Sequence, residues 1–300
     1  MRLAYDIVDV FTDRPFAGNQ LAVVHGAEGL STEQCQALAR EFNFSESTFP
    51  STPTRRDEYA TRIFTPEQEI PFAGHPTLGT AWVLRSRGLL AEEAVTQVCG
   101  AGRIGVRFEA DVVRLTASPR DLVGPLPDDL VADLLGELGL DAGDRDGEAW
   151  LAGCGLSFVH VPVTDDAVVR ARVAAGSFAP YAGRLGALGE VRDLIDAVNL
   201  YAVSGAAPRL EVHSRVFVPG AGVPEDPATG SAAAGLGMAL VAGGRLPEGG
   251  SYDIRQGIEM GRPSALAGRV EVEDGVAALC HVGGGVRPVA TGEIEVPELG

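Results

Sequence analysis

The first ten residues, Met-Arg-Leu-Ala-Tyr-Asp-Ile-Val-Asp-Val, alternate apolar and polar side chains with the period of two that a strand requires. The same period, or short β-branched runs bounded by Gly and Pro, predicts strands at Leu3–Val10, Gln20–His25, Val95–Cys99, Ile104–Phe108 and Val112–Thr116. In the second half it predicts strands at Ser157–Val163, Leu200–Val203, Ser251–Ile258, Ala267–Val272, Val276–His281 and Val286–Glu295. Helical spacing is confined to a few stretches. Thr32–Phe42 has Ser31 as N-cap and Gln34 three residues on, which together make a capping box. Asp128–Leu138 and the region Glu190–Asp196 read as further helices. Few β-α-β alternations appear, so the fold class is α+β, each half a curved sheet wrapped on a helix.

The halves echo one another. Arg62-Ile-Phe-Thr-Pro66 recurs as Arg215-Val-Phe-Val-Pro219. Each copy leads to P-x-x-G-[HS]-x-x-x-G: Pro71-Phe-Ala-Gly74-His75-Pro-Thr-Leu-Gly79, then Pro227-Ala-Thr-Gly230-Ser231-Ala-Ala-Ala-Gly235. The offset is 153 at the arginine (215 − 62) and 156 at the glycine (230 − 74), so the second loop is longer. In both, a β-rich run (Glu58 to Phe64; Arg209 to Val218) enters a Pro/Gly loop and then a helical run (Pro76 to Arg87; Ala232 to Val241). A repeat separated by half the chain length predicts two related domains. Ser118 to Pro127 is the expected crossover, giving domains at 1–118 and 119–300, with the last residues free to return to the first.

Composition narrows the chemistry. The net charge of −17 disfavours nucleic acid and anionic membrane surfaces as partners. All 24 basic residues are arginine, which removes pyridoxal-phosphate, Schiff-base and Walker-loop mechanisms, since each needs a lysine amine. Four separated cysteines read as reduced thiols, and no apolar run approaches a membrane span; a soluble cytoplasmic protein is expected. The five histidines form no HxH, HExxH or His/Cys cluster, so no metal site is expected. Gly100-Ala-Gly102-Arg-Ile-Gly105 matches G-x-G-x-x-G, but a period-two strand follows it where a dinucleotide site needs a helix. It reads as a hairpin turn.

Four side chains stand out. His75 and Ser231 follow the echoed glycines, in the first turns of two helices whose free N–H groups favour an anion by about 0.3–1 kcal/mol each. Either alone reads as a surface histidine or an N-cap serine; together, in echoed loops, they favour a site for a carboxylate. Asp226 fits turn formation before Pro227, but Ile70 occupies its place in the first copy, so the acid is not part of the shared scaffold. Glu46 lies among Phe42, Phe44 and Phe49. It fits equally a glutamate at an exposed strand end or a desolvated carboxyl raised toward a proton shuttle's range.

Those blocks resemble a known family. Phe72-Ala-Gly-His75-Pro-Thr-Leu-Gly-Thr-Ala81, Asp226-Pro-Ala-Thr-Gly-Ser231-Ala, Ser45-Glu46-Ser-Thr-Phe49 and Asp9-Val-Phe-Thr-Asp-Arg-Pro-Phe-Ala-Gly18-Asn19 are similar to the signatures of the phenazine-biosynthesis PhzF-like family. The resemblance runs from about residue 5 to Val282-Gly-Gly-Gly. It implies the diaminopimelate-epimerase-like fold, two pseudo-symmetric domains of mostly antiparallel sheet curled around a central helix, with the site between them. It also implies a cofactor-independent isomerase that moves a proton between carbons of a small cyclic or aromatic-precursor carboxylate, and a homodimer. By the same resemblance Glu46 is the acid/base, assisted by His75 and Asp226, while Asn19, Ser45, Gly74, Gly230 and Ser231 hold substrate. Thiol-dependent racemases of this fold carry cysteine immediately before each glycine. Ala73 and Thr229 stand there, which excludes two-thiol chemistry. Two other readings compete: a serine hydrolase using Ser231, His75 and Asp226, which lacks a G-x-S-x-G elbow, and a carboxylate-binding protein without catalysis.

Overall fold

The N-terminal alternation becomes β1 (Arg2–Val10), which pairs antiparallel with β2 (Asn19–Val24). Helix α1 (Thr32–Phe42) begins on the expected capping box, with the Ser31 hydroxyl accepting from Gln34 N–H and the Gln34 side chain accepting from Ser31 N–H. It returns the chain to β3 (Glu46–Pro50), parallel to β2. β4 (Glu58–Phe64) and the short β5 (Glu69–Ile70) lead into α2 (Gly74–Ser86), followed by β6 (Ala94–Cys99), β7 (Gly102–Glu109) and β8 (Val112–Ala117). The G-x-G-x-x-G segment is the β6–β7 hairpin turn: Cys99 pairs with Gly102, whose φ of 100° suits glycine.

The second half repeats this order. β9 (Asp121–Val123) and α3 (Asp128–Glu137) precede β10 (Trp150–Gly153) and β11 (Ser157–Pro162). Then come α4 (Asp165–Arg170), α5 (Ala182–Gly186), β12 (Leu194–Ala206), β13 (Arg209–Phe217) and β14 (Glu225–Asp226). α6 (Gly230–Ala242), β15 (Gly250–Gln256), β16 (Ser264–Glu273), β17 (Val276–Gly284) and β18 (Val286–Glu295) complete the chain. These elements come from a computed structural model that describes residues 1–172, 177–191, 194–219 and 224–298. The fold is α+β, and it divides into two units, Met1–Leu115 with Gly283–Gly300, and Thr116–Val282.

Strand register gives the echo a structural form. In the first unit β2 and β3 are parallel, β3 and β4 antiparallel, β4 and β6 parallel. In the second, β11 and β12, β12 and β13, β13 and β15 repeat those relations in turn. Ile63 opposes Ile70 in one unit, and Val216 opposes Asp226 in the other. The chain also enters and leaves the two sheets in the same way, since β18 pairs with β1 and β9 with β10.

Each sheet holds one apolar helix. α2 buries residues on every side, including Leu78, Ala81, Val83 and Leu84, and α6 buries nearly its whole length; a helix apolar all round belongs in a core. The last glycine of each echoed motif marks where helix meets sheet. A Cβ at Gly79 would lie 2.5 Å from Leu21 Cδ2 and 2.8 Å from Val10 Cγ2, and one at Gly235 would lie 2.8 Å from the Ala152 carbonyl oxygen. α1 adds a smaller core on the first sheet, where Leu38 and Ala39 pack with Leu3, Val24 and the edge-on pair Phe49 and Phe64.

The helix expected around Glu190–Asp196 does not form. Residues 192 and 193 lie outside the described residues, and Leu194 opens β12, parallel to β11. Asp196 lies in that strand rather than in a helical turn. Asn199 is a buried strand residue, kept polar because it accepts from the Ser214 hydroxyl (2.6 Å) and faces His160 Nδ1 (3.0 Å).

Candidate functional site

The sequence-predicted residues fall into two sets. Asn19, Ser45, Glu46, Gly74 and His75 belong to the first unit; Asp226, Gly230 and Ser231 belong to the second. Both helices start without a side-chain cap: Ala73 at the N-cap of α2 has no group to offer, and Thr229 at the N-cap of α6 makes no capping bond. Gly74 and Gly230 are the first residues of these helices, with His75 and Ser231 immediately after them. First-turn N–H groups without a side-chain cap suit an anionic ligand.

In the first unit, parallel pairing sets Leu21 of β2 beside Glu46 of β3. His75, at the start of α2, reaches both strands. Its Nε2 lies 3.2 Å from the Gln20 carbonyl oxygen, and its Nδ1 lies 3.4 Å from Glu46 Oε2. A carbonyl oxygen only accepts, so Nε2 carries the hydrogen. Burial lowers the His75 pKa to about 3, with the Gln20 bond opposing that shift, so the ring is neutral at pH 7 and Nδ1 is a bare lone pair. That lone pair faces a carboxyl group. The contact is attractive when Glu46 carries a proton and poor when it is ionised.

The phenylalanines near Glu46 in sequence do not enclose it. Successive strand side chains point to opposite faces, so Phe49 lies on the other side of β3, against Phe64. Phe42 packs against Tyr5 and Phe44. The Glu46 side chain is nonetheless only 17% exposed, beside the buried imidazole. Asn19 is buried at the start of β2 and Ser45 half-buried just before Glu46.

In the second unit, Asp226 ends β14 and its Oδ2 accepts the Thr229 hydroxyl at 2.6 Å. Buried Gln256 binds the same corner: its Nε2 donates to the Asp226 carbonyl (2.8 Å) and to Thr229 Oγ1 (3.0 Å), and its Oε1 accepts from Thr229 N–H (3.3 Å). Sequence reasoning missed Gln256, which sits at the end of a strand without a motif. Thr229 was noticed only as a replaced cysteine.

Register identifies what each acid faces in the other copy. Glu46 corresponds to Ala197, because Ser47 opposes Phe64 where Val198 opposes Phe217. Asp226 corresponds to Ile70. Each unit carries one acid that its counterpart position in the other lacks.

A Ser231–His75–Asp226 triad is not favoured. His75 Nε2 is bonded to the Gln20 carbonyl and its Nδ1 faces Glu46, both inside the first unit, and Asp226 is held by Thr229. The remaining histidines have structural partners: His25 with Asp6 (2.8 Å), His160 with Ala152 and Asn199, His213 with Glu259 (3.0 Å), His281 with Thr116 and Glu271. Among the described residues no three His, Cys, Asp or Glu side chains are grouped to hold a metal, and no helix is long and apolar enough to cross a membrane.

The chain is 36% identical over 271 residues to a trans-2,3-dihydro-3-hydroxyanthranilate isomerase of Pseudomonas aeruginosa, covering 89% of this chain and 90% of that protein. It is 34% identical over 310 residues to an uncharacterised isomerase of Mesorhizobium japonicum, covering 97% and 98%. Its fold matches the crystal structure of a PhzF-family phenazine biosynthesis protein of Bacillus anthracis with a TM-score of 0.82, at 22% identity and over 99% and 100% of the two chains. The model of the PhzC-PhzF family, described as phenazine biosynthesis-like protein, matches residues 8–286. With isomerases among its relatives and its sheet-wrapped helices built twice, the chain belongs to the PhzC-PhzF family of phenazine biosynthesis-like proteins.

Proposed function

We propose that this protein is a cofactor-independent isomerase that moves a proton from one carbon to another of a small cyclic carboxylate, with Glu46 as the acid/base. The observation that carries this reading is the contact between Glu46 Oε2 and the unprotonated Nδ1 of neutral His75. A carboxylate that removes a carbon-bound proton must hold it briefly before returning it. With Nε2–H committed to Gln20, Nδ1 is ready to accept a hydrogen bond from Glu46 at that moment, and a bond of this kind is worth about 0.5–1.5 kcal/mol. His75 thus favours the loaded form of the shuttle and returns the proton without keeping it.

Asp226, Gly230 and Ser231 serve the same substrate, with the α6 start seating the carboxylate and Asp226 assisting proton movement; Asn19, Ser45 and Gly74 do so from the first unit. The replacement of cysteine by Ala73 and Thr229 leaves a carboxylate as the base available. A cytoplasmic location and a homodimer belong to the same reading.

Because a relative is named for trans-2,3-dihydro-3-hydroxyanthranilate, that compound is the first probe. General acid/base catalysis contributes about 10²–10⁴-fold, so Glu46→Gln is expected to lower kcat by at least about a hundredfold while the fold persists. A serine-labelling fluorophosphonate is expected to leave Ser231 unmodified. Wild-type turnover by Glu46→Gln would remove the assignment, and binding of the probe by the wild-type protein without conversion would favour a carboxylate-binding protein.

A further inference from the structure

At the N-cap of a helix, threonine ordinarily turns its hydroxyl back to accept from the helix's own N–H groups. Thr229 does not. Its hydroxyl donates to Asp226 Oδ2 at 2.6 Å, and Gln256 fixes that direction. One amide hydrogen of Gln256 goes to the Asp226 carbonyl (2.8 Å), the other to Thr229 Oγ1 (3.0 Å), and Oε1 accepts Thr229 N–H (3.3 Å). The reversed amide would set its oxygen against the Asp226 carbonyl oxygen, so one orientation satisfies the network. With Gln256 donating into Thr229 Oγ1, the single hydroxyl hydrogen is left for Asp226.

None of this belongs to the repeated scaffold. Ala60 opposes Val98 where His213 opposes Arg255, so the next residue along, Cys99, stands where Gln256 does. Likewise Ile70 replaces Asp226 and Ala73 replaces Thr229. The first unit builds the same strand–loop–helix turn with Ile, Ala and Cys at the three positions. A network that the fold itself required would recur in both copies. This one occurs only where the acid does.

We infer that Thr229 and Gln256 are positioning residues for Asp226, a donor relay Gln256 → Thr229 → Asp226 that holds the carboxylate in one orientation as a hydrogen-bond acceptor. The inference rests on the assignment of Asp226 to the reaction above. Donation to the charged form favours that form, so loss of the relay also makes the carboxyl take up a proton more readily.

The test compares Thr229→Val, Thr229→Ser, Gln256→Leu and Asp226→Asn in the full chain, with two readouts. One is a pH titration of the Asp226 carboxyl by carbon NMR, assigned by its absence in Asp226→Asn; it requires no substrate. The other is kcat and KM for trans-2,3-dihydro-3-hydroxyanthranilate across pH. Thr229→Val and Gln256→Leu are expected to move the carboxyl midpoint up. The acid limb of kcat should move with it, and kcat at neutral pH should fall roughly tenfold with KM little changed. Thr229→Ser, which restores the hydroxyl, is expected to restore both readouts. Should Thr229→Val not fold, Gln256→Leu against Thr229→Ser makes the same comparison. An unmoved carboxyl midpoint and acid limb in folded Thr229→Val or Gln256→Leu would overturn the relay. A fully active Asp226→Asn would instead overturn the role of Asp226 itself.

Discussion

Acid is expected to destabilise this protein through its buried neutral histidines, and His75 sets the scale. Its ring is 4% exposed, and burial takes its pKa from 6.5 in the unfolded chain to about 3 in the folded one. The folded value is the lower, so as pH falls the unfolded chain binds the proton first, and stability present above 6.5 is lost progressively toward about 3. By pH 5 the unfolded chain has taken up the proton and the folded chain has not. At about 1.4 kcal/mol per pH unit, the interval from 6.5 to 5 removes roughly 2 kcal/mol. His160, lowered to about 4 by burial with its Ala152 bond opposing, has the same sign and adds a similar loss over that interval. Guanidinium unfolding of the wild type, His75→Gln and His160→Asn at pH 7 and pH 5 measures it. Each variant is expected to lose roughly 2 kcal/mol less than the wild type between the two conditions. Nitrogen NMR of the His75 ring should show one neutral Nε2–H tautomer throughout. Titration of that ring near pH 6, or equal pH sensitivity in wild type and His75→Gln, would show that burial does not keep the ring neutral and that Nδ1 is not available to accept from Glu46.

Further outcomes use the internal repeat as its own control. Arg215, 5% exposed, binds both Glu225 oxygens (2.8 and 2.9 Å) and the Val168 and Ala171 carbonyls, while its counterpart Arg62 binds both Glu69 oxygens at the surface. Arg215→Met strands a buried carboxylate and is expected to cost about 3–5 kcal/mol in denaturant unfolding. Arg62→Met is expected to cost about 1 kcal/mol or less; equal costs would show that burial does not separate the two pairs. Gly235→Ala puts a methyl against the Ala152 carbonyl and His160 Nε2, and about 1–3 kcal/mol should be lost in the same assay; an unchanged midpoint would mean that α6 can shift away from the sheet.

Local chemistry was the legible part of the sequence. The Ser31–Gln34 capping box fixed the start of α1, and the run Val286–Glu295 forms a strand with the bounds its alternation predicts. The echo was readable because a strand–loop–helix turn repeats its glycines: Gly74 and Gly230 begin helices, and Gly79 and Gly235 allow close packing. The register of β5 and β14 then shows why Asp226 lacked a counterpart. What the sequence concealed depends on partners distant along the chain. Asn199 is a buried polar strand residue because its side chain joins a network with Ser214 and His160. Gln256 carries no motif, and it matters through a loop 27 residues away. The neighbourhood of Glu46 was misread, since sequence proximity placed phenylalanines beside it and strand geometry put the imidazole there instead.

The most direct measurement is proton NMR of trans-2,3-dihydro-3-hydroxyanthranilate incubated with the enzyme in deuterated water. Wild-type protein is expected to make a carbon-bound hydrogen labile and to yield the double-bond isomer, and folded Glu46→Gln to do neither at more than about a hundredth of the rate. Isomerisation by Glu46→Gln at the wild-type rate would contradict the role of Glu46 as acid/base.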